Sequence, residues 1–477
     1  MAKHPAQGYR AASPEETMAL LVTSESEIQR IAPPALPAAS EEYSKQAQEK
    51  FNNVLRLYFN RLNSILGQLM TGTSGSSIPI SFPPTSLDAF GRLRVSNPFT
   101  IFDSQNRYAK DNQFSEFTAT GGNITYGPPE STVGLTVTST SGSTAIRQSY
   151  RVMPYQPGKS LLVLATFVMT TAQTNLRQRV GYFNAGNGVF FQQLSSVKSF
   201  VLRTSTSGSP SDARTVNQAD WNGDKLDGTG ASGLTLDTTK AQILWMDFEW
   251  LGVGSVRCGF IINGEYIICH TFNNANDQNK VYMTTAILPV RYEIEATGAL
   301  ETTGVSLKQI CSSVISEGGY QQAVATQFVR NTTPVTGIST TFIPIASMQL
   351  AYLDTPGAVV LPTGIQVFPT ANQNYEVALF KNATLTGAVF TLLPYKSIYY
   401  DTSATAMTGG TMVLQSFASS STQGRAVSIT PAGYNFDLQI GIGLNGLSDI
   451  YTLAVRTLTA SPAGTAVGVI DFIDLTD

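Results

Sequence analysis

Cys258-Gly-Phe-Ile-Ile-Asn-Gly-Glu-Tyr-Ile-Ile-Cys269 is the stretch on which the reading of the fold turns. Asn263-Gly264 sits between two apolar runs. It is a two-residue hairpin signal, because a type I′ turn needs positive φ at both central positions. Register then follows by addition: Ile262 faces Glu265, Phe260 faces Ile267, and Cys258 faces Cys269. The same count sets His270 opposite Arg257. A hydrogen-bonded antiparallel pair has Cα atoms ~5.5 Å apart, which a disulfide can span. Three cysteines in 477 residues nevertheless fit folding in a reducing compartment. Cys258 and Cys269 are therefore expected as neighbouring reduced thiols that pack as small apolar side chains. Ile261, Tyr266 and Ile268 make the second face apolar too, which predicts a hairpin inside a sandwich.

Short apolar runs separated by Gly, Asn and Ser/Thr turns continue on both sides. Val133–Thr138, Leu161–Met169, Val189–Phe191 and Ile243–Leu251 read as strands. In Ile243–Leu251, Leu244, Met246, Phe248 and Trp250 share one face, and Trp245, Asp247, Glu249 and Leu251 the other. That alternation predicts a sheet buried on one side and largely open on the other. Composition shifts at Ser316-Glu-Gly-Gly-Tyr320, after which Thr341–Ile345, Ala358–Leu361, Val377–Phe380, Val427–Thr430 and Val469–Ile473 read as further strands. The expected fold class is mainly β: two antiparallel, jelly-roll-like sandwiches over 111–318 and 319–477.

The N-terminal part reads differently. Residues 1–40 contain Ile31-Ala-Pro-Pro-Ala-Leu-Pro-Ala-Ala-Ser40, an extended arm unable to bury a core alone. Over 41–72 a helix is expected, with Ser40 as cap and Phe51, Leu55, Tyr58, Leu62, Ile65 and Leu69 as a heptad stripe. No second helix pattern of that strength follows, so its partners are expected to be other copies or other subunits. A mixed stripe without the β-branched and leucine alternation of dimers favours a homotrimer. Gly72-Thr-Ser-Gly-Ser-Ser77 reads as a hinge, and 73–110 as an extended linker.

Composition excludes several functions. Lys+Arg 30 against Asp+Glu 33 gives 30 − 33 = −3, without the basic excess that nucleic acid demands. No apolar run is long enough to span a membrane, and Met18-Ala-Leu-Leu-Val-Thr23 is too short for a signal-peptide core. With two histidines and no CxxC pair, no metal site or cofactor is expected.

Chemistry-bearing constellations are few. Asp247 and Glu249 are same-face carboxylates, ~6.6–7 Å apart on a strand. One jelly-roll glycosidase family uses an E-x-D-x-E strand, but Trp245 stands at its first position, so solvated acids on an open face are expected. Asp220, Asn222 and Asp224 have alternate spacing like a calcium loop. Lys225 and Ala231 occupy the positions that such a loop gives to Gly and Glu, which favours an ordinary Asp/Gly turn. Tyr155, Tyr182, Phe183, Trp221 and Trp245 could form a sugar platform but are expected as core. His270 is expected to be buried or paired, and Gly252-Val-Gly254 lacks the helix a phosphate loop needs. No catalytic residue is assigned, and no enzymatic activity is expected.

Three segments carry a resemblance. They are Phe51-Asn-Asn-Val-Leu-Arg-Leu-Tyr-Phe-Asn-Arg-Leu-Asn63; Leu87-Asp-Ala-Phe-Gly-Arg-Leu-Arg-Val-Ser-Asn-Pro98 with Phe102-Asp-Ser-Gln105; and Trp250-Leu-Gly-Val-Gly-Ser-Val-Arg-Cys-Gly-Phe260 with Leu288-Pro-Val-Arg-Tyr-Glu-Ile294. Together, across about residues 45–320, they resemble a group of tailed-bacteriophage virion structural proteins. The resemblance implies a virion component assembled in the host cytoplasm. It would dock on other virion proteins through residues 1–72 and project its sandwiches, probing a host surface glycan at most. Tail, fibre or baseplate association is the first expectation. A capsid-surface decoration protein, or a carbohydrate-binding adhesin or depolymerase, is the alternative. The family supplies no catalytic residues to carry over.

Overall fold

The computed structural model describes residues 48–49, 51–57, 59, 88, 98–320, 326–351, 357–394, 397–419, 427–429 and 436–475. The chain divides into two compact units, Met1–Phe82 and Pro83–Asp477.

In the first unit the described residues between 48 and 59 are helical. Gln48 Nε2 donates to Asn52 Oδ1 at 3.2 Å, one turn along. Phe51, Val54 and Leu55 are half-buried, while Leu57 (66%) and Phe59 (58%) are exposed. The arm 1–40, the stripe positions Tyr58, Leu62, Ile65 and Leu69, and the hinge lie outside the described residues.

The second unit is built from antiparallel sheets. In the first sandwich, one sheet runs Glu265–Phe272, Val256–Ile262, Gln242–Phe248, Leu161–Val168, Val305–Ser316, Thr132–Val137, Asn123–Gly127. Phe99–Gln105 joins it on the C-terminal half of the long Val305–Ser316 strand, so the stretch expected as a linker to residue 110 is already part of the sandwich from Phe99. The facing sheet runs Ser211–Asn217, Val197–Thr204, Gly188–Leu194, Leu176–Phe183, Val290–Ala296, Thr144–Ser149, Phe114–Ala119. Alternation fills the space between them. Val163, Ala165, Phe167, Leu244, Met246 and Phe248 from one sheet meet Val180, Tyr182, Phe191, Tyr292 and Ile294 from the other, all within one core cluster. Rings interlock across the gap: Phe191 lies 5.2 Å from Phe260, edge to face, and Tyr182 lies 5.4 Å from Phe248.

The quoted hairpin needs correction beyond its turn. Asn263 (φ 54) and Gly264 (φ 84) do form the two-residue turn, and Phe260 faces Ile267. After Gly259↔Ile268 a bulge takes up Cys269, so Cys258 faces His270 and Arg257 faces Thr271. Bulk forces the slip. A Cβ at Gly259 would lie 1.8 Å from Ile267 O and 2.9 Å from Trp245 Nε1, so the Trp245 indole lies across Gly259 and donates to Ile267 O at 3.3 Å. The bulge leaves both thiols in the core with no disulfide between them. The hairpin is not interior: Glu265–Phe272 is the sheet's edge strand, and Ile261, Ile262 and Tyr266 are only half-buried.

The second sandwich faces a sheet built on Gly464–Asp474 and Val360–Pro369 against one ordered Thr391–Leu392, Ile398–Asp401, Ile343–Leu350, Ile450–Thr457, Asn374–Lys381, Thr411–Ser419. Its own cluster includes Ile365, Val367, Tyr375, Leu453 and Ile470. The sandwiches are joined by bonds from the 436–450 segment. Gln439 Nε2 donates to Val152 O (2.8 Å), Ile442 N to Tyr150 O (3.0 Å) and Leu444 N to Ser115 Oγ (2.9 Å). The Phe436 ring seals the seam, 5.1 Å from Tyr320 and 5.8 Å from Phe99.

Candidate functional site

The acid pair comes first because its surroundings overturn the expectation of solvated carboxylates. Asp247 and Glu249 are both fully buried. Arg257 stands directly opposite Asp247 on the neighbouring strand and grips it with two donors, Nε to Oδ1 at 2.8 Å and Nη2 to Oδ2. The pair is bidentate and charge-compensated. Glu249 Oε1 accepts from the Tyr155 hydroxyl at 3.0 Å, which in turn accepts from Leu251 N at 3.2 Å. Burial and the adjacent carboxylate push the Tyr155 phenol up, so it stays a donor at neutral pH. The two acids brace the strand end from which Trp250 donates to Met283 O at 3.2 Å. The sequence misread this face because its cover comes from Arg257 and Tyr155, not from the strand itself.

In the 220–228 turn the oxygens serve the chain. Asp224 Oδ1 accepts from Leu226 N (2.9 Å) and Oδ2 from Ser232 N (2.6 Å), while Asn222 bonds the Thr271 main chain in both directions. Gly223 N and Asp224 N also donate to Cys269 O and Ile268 O, so the turn covers the open edge of the last strand. His270 Nδ1 accepts from Asn222 N at 3.3 Å, and its ring meets Phe272 edge-on at 4.5 Å. Burial, with Arg214 nearby, lowers its pKa to about 4. Among the described residues no group of three His, Cys, Asp or Glu side chains could hold a metal.

The five aromatics do not gather. Tyr182 and Trp221 belong to the core, Trp245 lies on the outer face of its own sheet against Tyr266, and Phe183 lies on the outer face of the opposite sheet. Tyr155 is half-buried beside Trp250.

Sequence reasoning missed the most organised polar face, which is the outside of the second sheet. Glu293 faces Arg179 directly and carries Arg291 two residues back on the same face. Arg291 donates to Glu293 Oε2 from Nε (2.9 Å) and Nη2 (2.7 Å), and Arg179 takes the other oxygen. Arg177 pairs with Glu295, and Arg203 grips Asp212 at 2.7 Å through both donors. Guanidinium groups and rings alternate: Arg291 lies 5.4 Å from Phe183, Arg179 5.8 Å from Phe183 and 5.6 Å from Phe190, and Arg203 5.2 Å from Phe190. Glycines make room for the rings. Gly181 faces Phe190 and Gly188 faces Phe183, and a Cβ would lie 2.6 Å from the Phe190 side chain or 2.2 Å from that of Phe183. Burial alone would raise the Glu293 carboxyl, but Arg291 and Arg179 outweigh it and hold its pKa at about 2. The signal was present in Leu176-Arg-Gln-Arg-Val-Gly-Tyr-Phe183 and Val290-Arg-Tyr-Glu-Ile-Glu-Ala296, where charge recurs at every second position.

Beside this ladder, space opens between the two sandwiches. A cleft of 590 Å³ is lined by Arg291, Gln148, Asn184 and Tyr150 on the first sandwich and by Leu350, Ile442 and Leu444 on the second. A second hollow of 660 Å³ lies past Tyr150, which lines both, and is bordered by Phe117, Glu116, Asn382, Asn445 and Asp449.

No family model matches the chain, and no curated protein matches it. Among solved structures, a protein of unknown function from Shewanella oneidensis MR-1 is similar at 9% identity and a TM-score of 0.31, over 51% of this chain and 99% of that one. The Emp47p carbohydrate recognition domain follows at 9% and 0.30 over 47% and 99%. A Bacillus licheniformis β-glucanase follows at 11% and 0.29 over 46% and 98%. Similarity this low carries no argument about binding or catalysis.

Proposed function

We propose that the protein is a structural component of a tailed-phage virion, docked through residues 1–72 and projecting its two sandwiches, in a tail, fibre or baseplate position. The sequence resemblance motivates the reading. The observation that carries it is the division of the chain at Phe82, with exposed Leu57 and Phe59 on the helix of the smaller unit. Exposed apolar surface such as that of Leu57 suits a contact with another chain. The partners are other virion proteins and two further copies of this chain. A truncation beginning at Ser86 is expected to stay folded and fail to enter particles. Normal incorporation would overturn the reading, and a monomeric mass for the intact chain would overturn the trimer.

A non-enzymatic role accompanies this reading: Asp247 and Glu249 are buried, and Asp247 is neutralised by Arg257, as Glu293 and Glu295 are by the arginines beside them. A surface glycan as ligand is the second reading, favoured by the hollows at the sandwich junction, whose walls mix amide and hydroxyl side chains with apolar ones.

A further inference from the structure

We infer that the junction between the two sandwiches is a binding groove for an uncharged oligosaccharide, with Phe117 as its stacking platform and Tyr150 at its centre. This rests on the glycan reading above and names its site and ligand class.

Three observations converge. First, the two hollows share Tyr150, so they form successive compartments along the seam, each within the volume range of ligand sites. Domain junctions are preferred places for such sites. Here the seam is pre-set by the bonds from Gln439, Ile442 and Leu444 to the first sandwich. Little ordering cost is left for binding.

Second, the lining offers hydrogen bonds the protein does not use. Gln148 Oε1 is taken by Arg291 Nη1 (2.9 Å), and Asn184 Oδ1 by Gly186 N and Asn187 N (2.8 Å each). The side-chain NH2 groups of both, and the Tyr150 hydroxyl, have no partner among the described residues. Half-fixed amides and a phenol suit the alternating donors and acceptors of sugar hydroxyls. Phe117, 46% exposed, points outward from the sheet's last strand and can take the C–H face of a pyranose ring.

Third, the charge is already spent. Lys110 and Arg291 stand against Asp111, Glu116 and Asp449, a balance of 2 − 3 = −1. Glu116 is held by Arg147 and Lys110, Asp449 by Lys381 at 2.9 Å, and Arg291 by Glu293. Among the described residues lining the two hollows no unpaired guanidinium awaits a carboxylate or sulfate, so an acidic polysaccharide is disfavoured.

The test is calorimetric titration of the full chain with maltohexaose, laminarihexaose, xylohexaose and N-acetylchitohexaose, with polygalacturonate as the charged comparison. Binding of at least one neutral oligomer is expected. Phe117→Ala should weaken it at least tenfold and Tyr150→Phe about threefold. Phe417→Ala, at an exposed ring of the second sandwich, should leave it unchanged. Both groove variants should melt like the parent. No binding by any probe overturns both the glycan reading and the groove. Binding that survives both groove variants overturns the groove alone. Binding of polygalacturonate only overturns the uncharged class.

Discussion

In the first sandwich the buried acids Asp247 and Glu293 stand on strands and meet arginines from adjacent strands or the same face. In the second, Asp401 ends a strand and gathers N–H donors from the loop that follows it and from an earlier one. Val389 N (2.8 Å), Ser403 N (3.0 Å) and Ala404 N (3.2 Å) all donate to it. Buried Asp474 likewise accepts from Ser397 N at 3.3 Å. Where the second sandwich does pair an acid with arginine, at Glu376–Arg456, the arginine side chain is 40% exposed. A carboxylate served by backbone amides needs no second charge taken out of water. The arginine-paired kind does, and it depends on neighbouring strands keeping register.

The largest expected effect tests that contrast. Glu293→Gln leaves Arg179 and Arg291 buried without their counter-charge, and a loss of about 3–5 kcal/mol in denaturant unfolding is expected. Asp401→Asn keeps one acceptor oxygen and strands a single amide donor, for about 1–3 kcal/mol. Equal losses at the two positions would break the comparison.

Legibility in the sequence follows the same division. Local signals were readable: the Asn263-Gly264 turn and the apolar runs that form the 161–168 and 242–248 strands. What depended on a partner from elsewhere in the chain was not. The Cys269 bulge exists because Trp245, from another strand, lies over Gly259. The burial of Asp247 needs the 242–248 and 256–262 register, which sets it opposite Arg257. The arginine ladder needs Leu176–Phe183 beside Val290–Ala296, more than a hundred residues apart. The heptad stripe is legible only as an expectation, since four of its six positions lie outside the described residues.

A smaller effect concerns the acids of the 242–248 strand end, Asp247 and Glu249. Asp247→Asn weakens two charge-assisted bonds to Arg257, and a loss of about 2 kcal/mol is expected. Polysaccharide release should be absent before and after the change, as it should for Glu249→Gln. Turnover in the parent that vanishes in either variant, with the fold retained by circular dichroism, would revive the depolymerase alternative.

The smallest effect is a titration, and it belongs to one sandwich only. His4 and His270 are the chain's histidines, and His270 alone lies in the double-sandwich unit, on the edge strand of its first sandwich. Its folded pKa is about 4 against the ordinary 6.5, because burial and Arg214 both oppose the charged ring. Protonation at Nδ1 would also set an N–H against the Asn222 N–H that the ring now accepts. Between the two pKa values the unfolded chain binds more protons than the folded one, so stability rises with pH across that window. The contribution is complete above 6.5 and fades as pH falls toward 4. Ordinary carboxylates titrate near about 4, so the interval from about pH 5 to 6.5 isolates the imidazole. Melting of the parent should fall with pH over that interval. His270→Gln, whose side-chain oxygen can still accept from Asn222, should be flat there. A variant that keeps the parent's slope would place the pH response elsewhere and remove the asymmetry between the sandwiches at this point.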